Sequence, residues 1–103
     1  MSLFAVTREA GPGWADDVGT FEQAGVNDHG AFMNDLANEG FAVFAGPLAG
    51  SENDRIRVLL IADAGSEADI HLRLADDPWD RTKHLVTTSV ESWNLLVGAE
   101  RLV

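Results

Sequence analysis

Between Asn27 and Leu48 the chain passes from a helical to an extended pattern within a few residues, and this leaves little freedom in how it folds. His29, Phe32, Met33 and Leu36 fall at i, i+3, i+4 and i+7, which puts them on one helix face. Asn27 or Asp28 caps that helix, expected over Asp28 to Glu39, and Gly40 supplies a left-handed stop. Phe41 to Ala45 then reads as a strand ended by Gly46-Pro47. Three of the four face residues are ordinary core side chains, whereas the fourth is an imidazole in the first helical turn.

The remaining elements follow from the same signals. Leu3 to Arg8 is expected to be a first strand, with Phe4 and Val6 on one side. Glu9 to Gly25 is broken by Gly11-Pro12-Gly13, Gly19 and Gly25, and reads as a long loop carrying Trp14, Val18 and Phe21. Large apolar residues in such a loop suit a flap over a pocket. Gly50 to Asp54 reads as a hairpin loop. Arg55 to Ala62 is the clearest strand, and the consecutive Leu59, Leu60 and Ile61 imply burial on both faces of its second half.

Ser66-Glu67-Ala68-Asp69 has the capping pattern of a helix start. Ile70 and Leu74 lie one turn apart on the buried side, and Pro78 ends the helix before Asp77. Leu85 to Val97 is an extended run whose alternation slips near Glu91, as at a bulge. The order strand, helix, strand, strand, helix, strand is that of a ferredoxin-like α+β domain, βαββαβ, with an antiparallel sheet and both helices on one face. The whole chain, residues 1–103, is one domain. The bare sheet face calls for a cover, and a second copy is the simplest one.

Composition limits the partners. The formal charge of −10 repels phosphate backbones and anionic lipid, so neither nucleic acid nor membrane is an expected partner. No cysteine is present, which removes disulfides and thiolate nucleophiles and suits a cytoplasmic location. No signal peptide is recognisable, and no apolar run approaches the ~20 residues that cross a bilayer.

Two constellations carry chemistry. At a helix N-terminus, with apolar neighbours, His29 is expected to rest as a neutral ring able to take a proton. On position alone, a core histidine satisfied by a backbone carbonyl is the plainer reading. Asp76-Asp77-Pro78-Trp79 puts two acids before a rigid turn, so that one carboxylate can face the sheet and the other water. A helix stop with solvated charges explains it equally well. Together they make more: a carboxylate on one imidazole nitrogen fixes the tautomer and leaves the other nitrogen basic. His71 and His84 show no ligand spacing with His29, so no metal is expected, and no glycine-rich phosphate loop calls for a cofactor. Trp14 and Trp79 are candidates to line a pocket for an aromatic ligand; Trp93 suits an interface or the core.

His29 with Phe32-Met33 and Leu36, Gly40, Gly46-Pro47-Leu48 and Asp76-Asp77-Pro78-Trp79 resembles the YCII-related (YciI-like) protein family. The resemblance implies a ferredoxin-like fold paired sheet to sheet as a dimeric α+β barrel, a homodimer. It implies a catalytic His–Asp pair, here His29 and Asp77. Trp14, Met33, Gly46, Pro47 and Trp79 are the residues expected about the substrate. The reading that follows is general acid–base chemistry, elimination or isomerisation, on a small cyclic or aromatic molecule. The alternative is a non-catalytic dimeric module that binds a small ligand or serves an assembly.

Overall fold

A computed structural model describes residues 1–102 of the protein. Four strands, β1 (Leu3–Ala10), β2 (Ala42–Pro47), β3 (Arg57–Asp63) and β4 (Leu85–Ser92), form one sheet in the order β2-β3-β1-β4. Every pairing is antiparallel. Helices α1 (Val26–Asn38) and α2 (Glu67–Leu74) are the two crossovers, and a four-residue helix α3 (Pro78–Arg81) follows α2. This is the ferredoxin-like topology, with the helices against one face.

The sheet is open. Its edge strands, β2 and β4, are separated by β3 and β1 and do not pair with each other, so the closed α+β barrel implied by the family resemblance is not what the structure holds. That part of the expected architecture is corrected to an open four-stranded sheet. On the outer face Phe44 and Leu59 are exposed, and Trp93 just beyond β4 is exposed as well. No helix among the described residues is long and apolar enough to cross a membrane.

The core sits between helices and sheet. Val6, Leu36, Leu60, Ala62, Ile70 and Leu74 make its main cluster, with Phe32 and Met33 packed against it. Leu60 and Ile61 are buried as the consecutive apolar run in β3 implies, whereas Leu59, on the outer face, is exposed. A second cluster of Trp14, Ile56, Trp79 and Leu85 lies toward the Ala10 end of β1.

Several element boundaries differ from the sequence pattern, each for a local reason. α1 begins at Val26 with Gly25 as N-cap at φ 80°, and no side chain caps it. Gly25 can take this left-handed turn at little cost, and the turn brings the Ala24 carbonyl to the Trp79 indole N–H at 2.8 Å. Gly40, at φ 83°, does end the helix. β2 runs on through Gly46-Pro47 because it is an edge strand, where proline's missing N–H costs nothing on the open side. The bulge in β4 comes earlier than Glu91: the register with β1 shifts between Thr7 and Arg8, leaving Thr88 unpaired.

The loop after β1 is tied down. Gln23 is buried, and its side-chain amide accepts from Ala15 N at 2.9 Å and donates to the carbonyls of Ala15 and Val18 at 2.7 and 3.1 Å. Gly11 and Gly13 donate backbone N–H groups to His84 O and Lys83 O, both at 2.9 Å. A Cβ at Gly13 would stand 2.1 Å from the Thr82 carbonyl oxygen, closer than atoms can approach. Gly13→Ala should therefore displace the loop and destabilise the fold by about 1–3 kcal/mol, read by urea denaturation.

Candidate active site

Arg8, His29 and Asp77 come from three separate parts of the chain and meet at one carboxylate. Asp77 is fully buried and sits at the N-cap of α3, with Pro78 as the first helical residue. Its Oδ1 accepts the Trp79 backbone N–H at 2.9 Å, so Asp77 starts a new helix and is not the solvated helix stop of the plainer reading. The same carboxylate also accepts from His29 Nδ1, at 2.9 Å to Oδ1 and 3.0 Å to Oδ2. Arg8 Nη1 donates to Oδ2 at 2.7 Å. Asp76, next in the chain, points to solvent and pairs loosely with Arg81.

His29 occupies the fourth residue of α1 and donates its backbone N–H to Gly25 O at 2.9 Å. Its ring lies flat on the Trp79 indole, with centroids 4.2 Å apart and planes 11° off parallel. Such a stack adds about 0.5–1.5 kcal/mol beyond the area it buries. Trp79 is itself clamped by His84 on a parallel plane and by Trp14 edge-on. His84 is buried and 2.6 Å from Thr82 Oγ1, whereas His71 is exposed beside Glu67. No group of three His, Cys, Asp or Glu side chains among the described residues is placed to hold a metal ion.

Burial works against the charge on Asp77. The hydrogen bonds from His29 and Arg8, the charge of His29 and the Trp79 N–H outweigh it, and the Asp77 pKa falls below the ordinary carboxylate value. An ionised Asp77 can only accept, so the proton of a neutral His29 sits on Nδ1. Nε2 then carries the lone pair, and no hydrogen-bond partner reaches it from the described residues.

His29 lines a cavity of about 760 Å³ between α1 and the sheet, open on one side. Met33, Gly46, Pro47 and Trp79 line it as well. Trp14 does not; it packs beside Trp79, and the loop contributes Thr20 and Phe21 to the cavity instead. Asp77 is absent from the lining too, and reaches the cavity only through His29 and Arg8. A second hollow of about 650 Å³, near Asp63 and Arg73, contains no histidine.

Arg8 is the residue that the sequence reading passed over. It is 1% exposed and shares the β1 face of Phe4 and Val6. The signal was there: at a period of two, an arginine continues the series of core positions, and a buried arginine needs an acid.

No protein-family model matches the chain, and no curated protein matches it. Among solved structures it resembles 5-chloro-2-hydroxyhydroquinone dehydrochlorinase (TftG) from Burkholderia phenoliruptrix AC1100, in complex with 2,5-dihydroxybenzoquinone. The two share 22% identity and superpose with a TM-score of 0.63 over 89% of this chain and 93% of that one. A likeness at this identity shows the fold. Membership of the YCII-related family, read from short motifs, is thus corrected to a shared fold, without the barrel closure.

Because the folded-state pKa of Asp77 is depressed, its contribution to stability is full above the unfolded value of about 3.9. It is lost as pH falls through the lower folded value. Asp77→Asn should remove that acid-labile component and, by stranding the buried Arg8 charge, cost about 3–5 kcal/mol at neutral pH. Urea denaturation of both proteins as a function of pH reads the two effects.

Proposed function

We propose that the protein is a small general acid–base enzyme in which His29 Nε2 abstracts a proton from a small cyclic or aromatic substrate. The reaction class is elimination or isomerisation. The observation that carries this reading is the His29 ring itself: Nδ1 is held by a buried carboxylate at 2.9 Å, and Nε2, unpartnered, belongs to a ring that lines a cavity. A fully buried structural histidine has both nitrogens satisfied by protein or ordered water, whereas Nε2 of His29 has no protein partner among the described residues.

His29 is the catalytic base in this reading, and Asp77 is a positioning residue. Asp77 holds the tautomer and stabilises the imidazolium that forms. Trp79 fixes the ring plane. The cavity walls are mostly apolar, which suits a planar organic molecule and keeps water from competing for the proton. Met33, Gly46, Pro47 and Trp79 form the substrate pocket, with Trp14 supporting Trp79 from behind. The dehydrochlorinase of similar fold gives a starting class: chlorinated hydroxyhydroquinones, and beyond them hydroxylated quinones and cyclic ketones.

A second copy over the outer sheet face belongs to the same proposal. Exposed Phe44 and Leu59 support it, and gel filtration should return about twice the 11.1 kDa chain mass. Elution as one chain would exclude it.

Turnover, or solvent-deuterium exchange into a substrate C–H, tests the chemistry. His29→Ala should lower kcat by about 10²–10⁴-fold with the fold intact by circular dichroism. Asp77→Asn, folded by circular dichroism, should lower kcat, because the tautomer of His29 is no longer held. A fully active His29→Ala protein would overturn the base assignment. Tight ligand binding with no exchange at any C–H would leave the non-catalytic binding module as the correct reading.

A further inference from the structure

Two of the three guanidinium nitrogens of Arg8 have no hydrogen-bond partner among the described residues. Nη1 donates to Asp77, but neither Nε nor Nη2 has a hydrogen-bond acceptor, although both are buried. The nearest other acid, Asp80, stands 3.7 Å from Nη2, beyond hydrogen-bond reach. A buried guanidinium with two idle nitrogens is costly, since each desolvated donor forgoes its hydrogen bond to water. Such a group is kept where something arrives to complete it. Arg8 is 1% exposed and lines the same cavity as His29.

We propose that Arg8 binds a substrate oxygen, so that the substrate is a small organic molecule whose carbonyl or oxyanion lies next to the C–H that His29 deprotonates. This rests on the reading of His29 as the base. The step balances without a cofactor. The C–H bond breaks and an N–H bond forms at Nε2. The electron pair released moves through the adjacent carbon onto the carbonyl oxygen, which becomes an enolate. The Nε–H and Nη2–H edge of Arg8 is then the donor set for that oxygen. A planar fork is suited to it, because charge-assisted hydrogen bonds strengthen as negative charge develops. Asp77 ties the two halves together, gripping the base with one set of bonds and holding Arg8 with another.

The charge balance sharpens the point. The whole chain carries −10, and Glu52, also in the cavity wall, is negative. The general field thus opposes an anion, and any preference for one must come from a local cation. Arg8 is the permanently charged cation in the lining.

The test compares benzoate with benzamide, two planar probes of the same shape that differ in charge, by isothermal titration calorimetry at pH 7. Wild type and His29→Ala should both bind benzoate at least tenfold tighter than benzamide. Arg8→Gln, folded by circular dichroism, should lose that preference. Retention of the preference in Arg8→Gln, equal binding of the two probes by wild type, or no binding of either would overturn the proposal. If Arg8→Gln does not fold, the Arg8 Nε–H resonance of the ¹⁵N-labelled wild type decides. It should shift with benzoate and not with benzamide, and an unmoved resonance would overturn the proposal. Because His29→Ala is a binding control here, failure of the base assignment and failure of the Arg8 assignment give different results.

Discussion

One buried carboxylate holds the candidate site of this protein together. Asp77 accepts from the α3 backbone at Trp79, from α1 through His29 and from β1 through Arg8. An ionised acid at that depth survives only because these donors surround it, and together they outweigh desolvation and hold its pKa below the ordinary carboxylate value. The three elements are therefore locked in relative position by a single group, with 48 residues separating His29 from Asp77 and 69 separating Arg8 from it. Loss of any one donor weakens the hold on the other two.

This arrangement explains how a domain of this size presents a defined site. The imidazole is pinned at Nδ1 by Asp77, pressed flat by Trp79 and anchored at its backbone to the first turn of α1. Trp79 is fixed in turn by its indole N–H to Ala24 and by Trp14 and His84. On the proposed reading, few rotamers would remain to be frozen on substrate binding, which is the condition for efficient proton transfer. The loop after β1 behaves as part of this scaffold. Gln23 and the close backbone approach at Gly13 bind it to the body, and it meets the cavity through Thr20 and Phe21.

Much of this was legible in the sequence because it rests on local signals. The spacing of Phe32, Met33 and Leu36, the stop at Gly40 and the Ser66 cap gave α1 and α2, and alternation gave the strands. The pairing of His29 with Asp77 came from chemistry and from family resemblance, and the geometry places the two side chains in contact. What escaped depends on tertiary context. Helix α3 is only four residues long, and an Asp-Pro pair carries the same local signal whether it stops one helix or starts the next. Arg8 looked like the polar end of a strand, since nothing nearby in the chain supplies its acid. Closure into a barrel is a property of strands that must meet across a sheet, and no local pattern in one chain encodes it.

The account depends on which nitrogen of His29 carries the proton in the neutral ring, and long-range ¹H–¹⁵N correlation of the histidine side chains measures it directly. The geometry predicts Nδ1–H, with the pyridine-like shift on Nε2, and predicts that Asp77→Asn disturbs this preference. A neutral His29 protonated at Nε2 in the wild-type protein would contradict it, since the lone pair would then face Asp77 and no base would face the cavity.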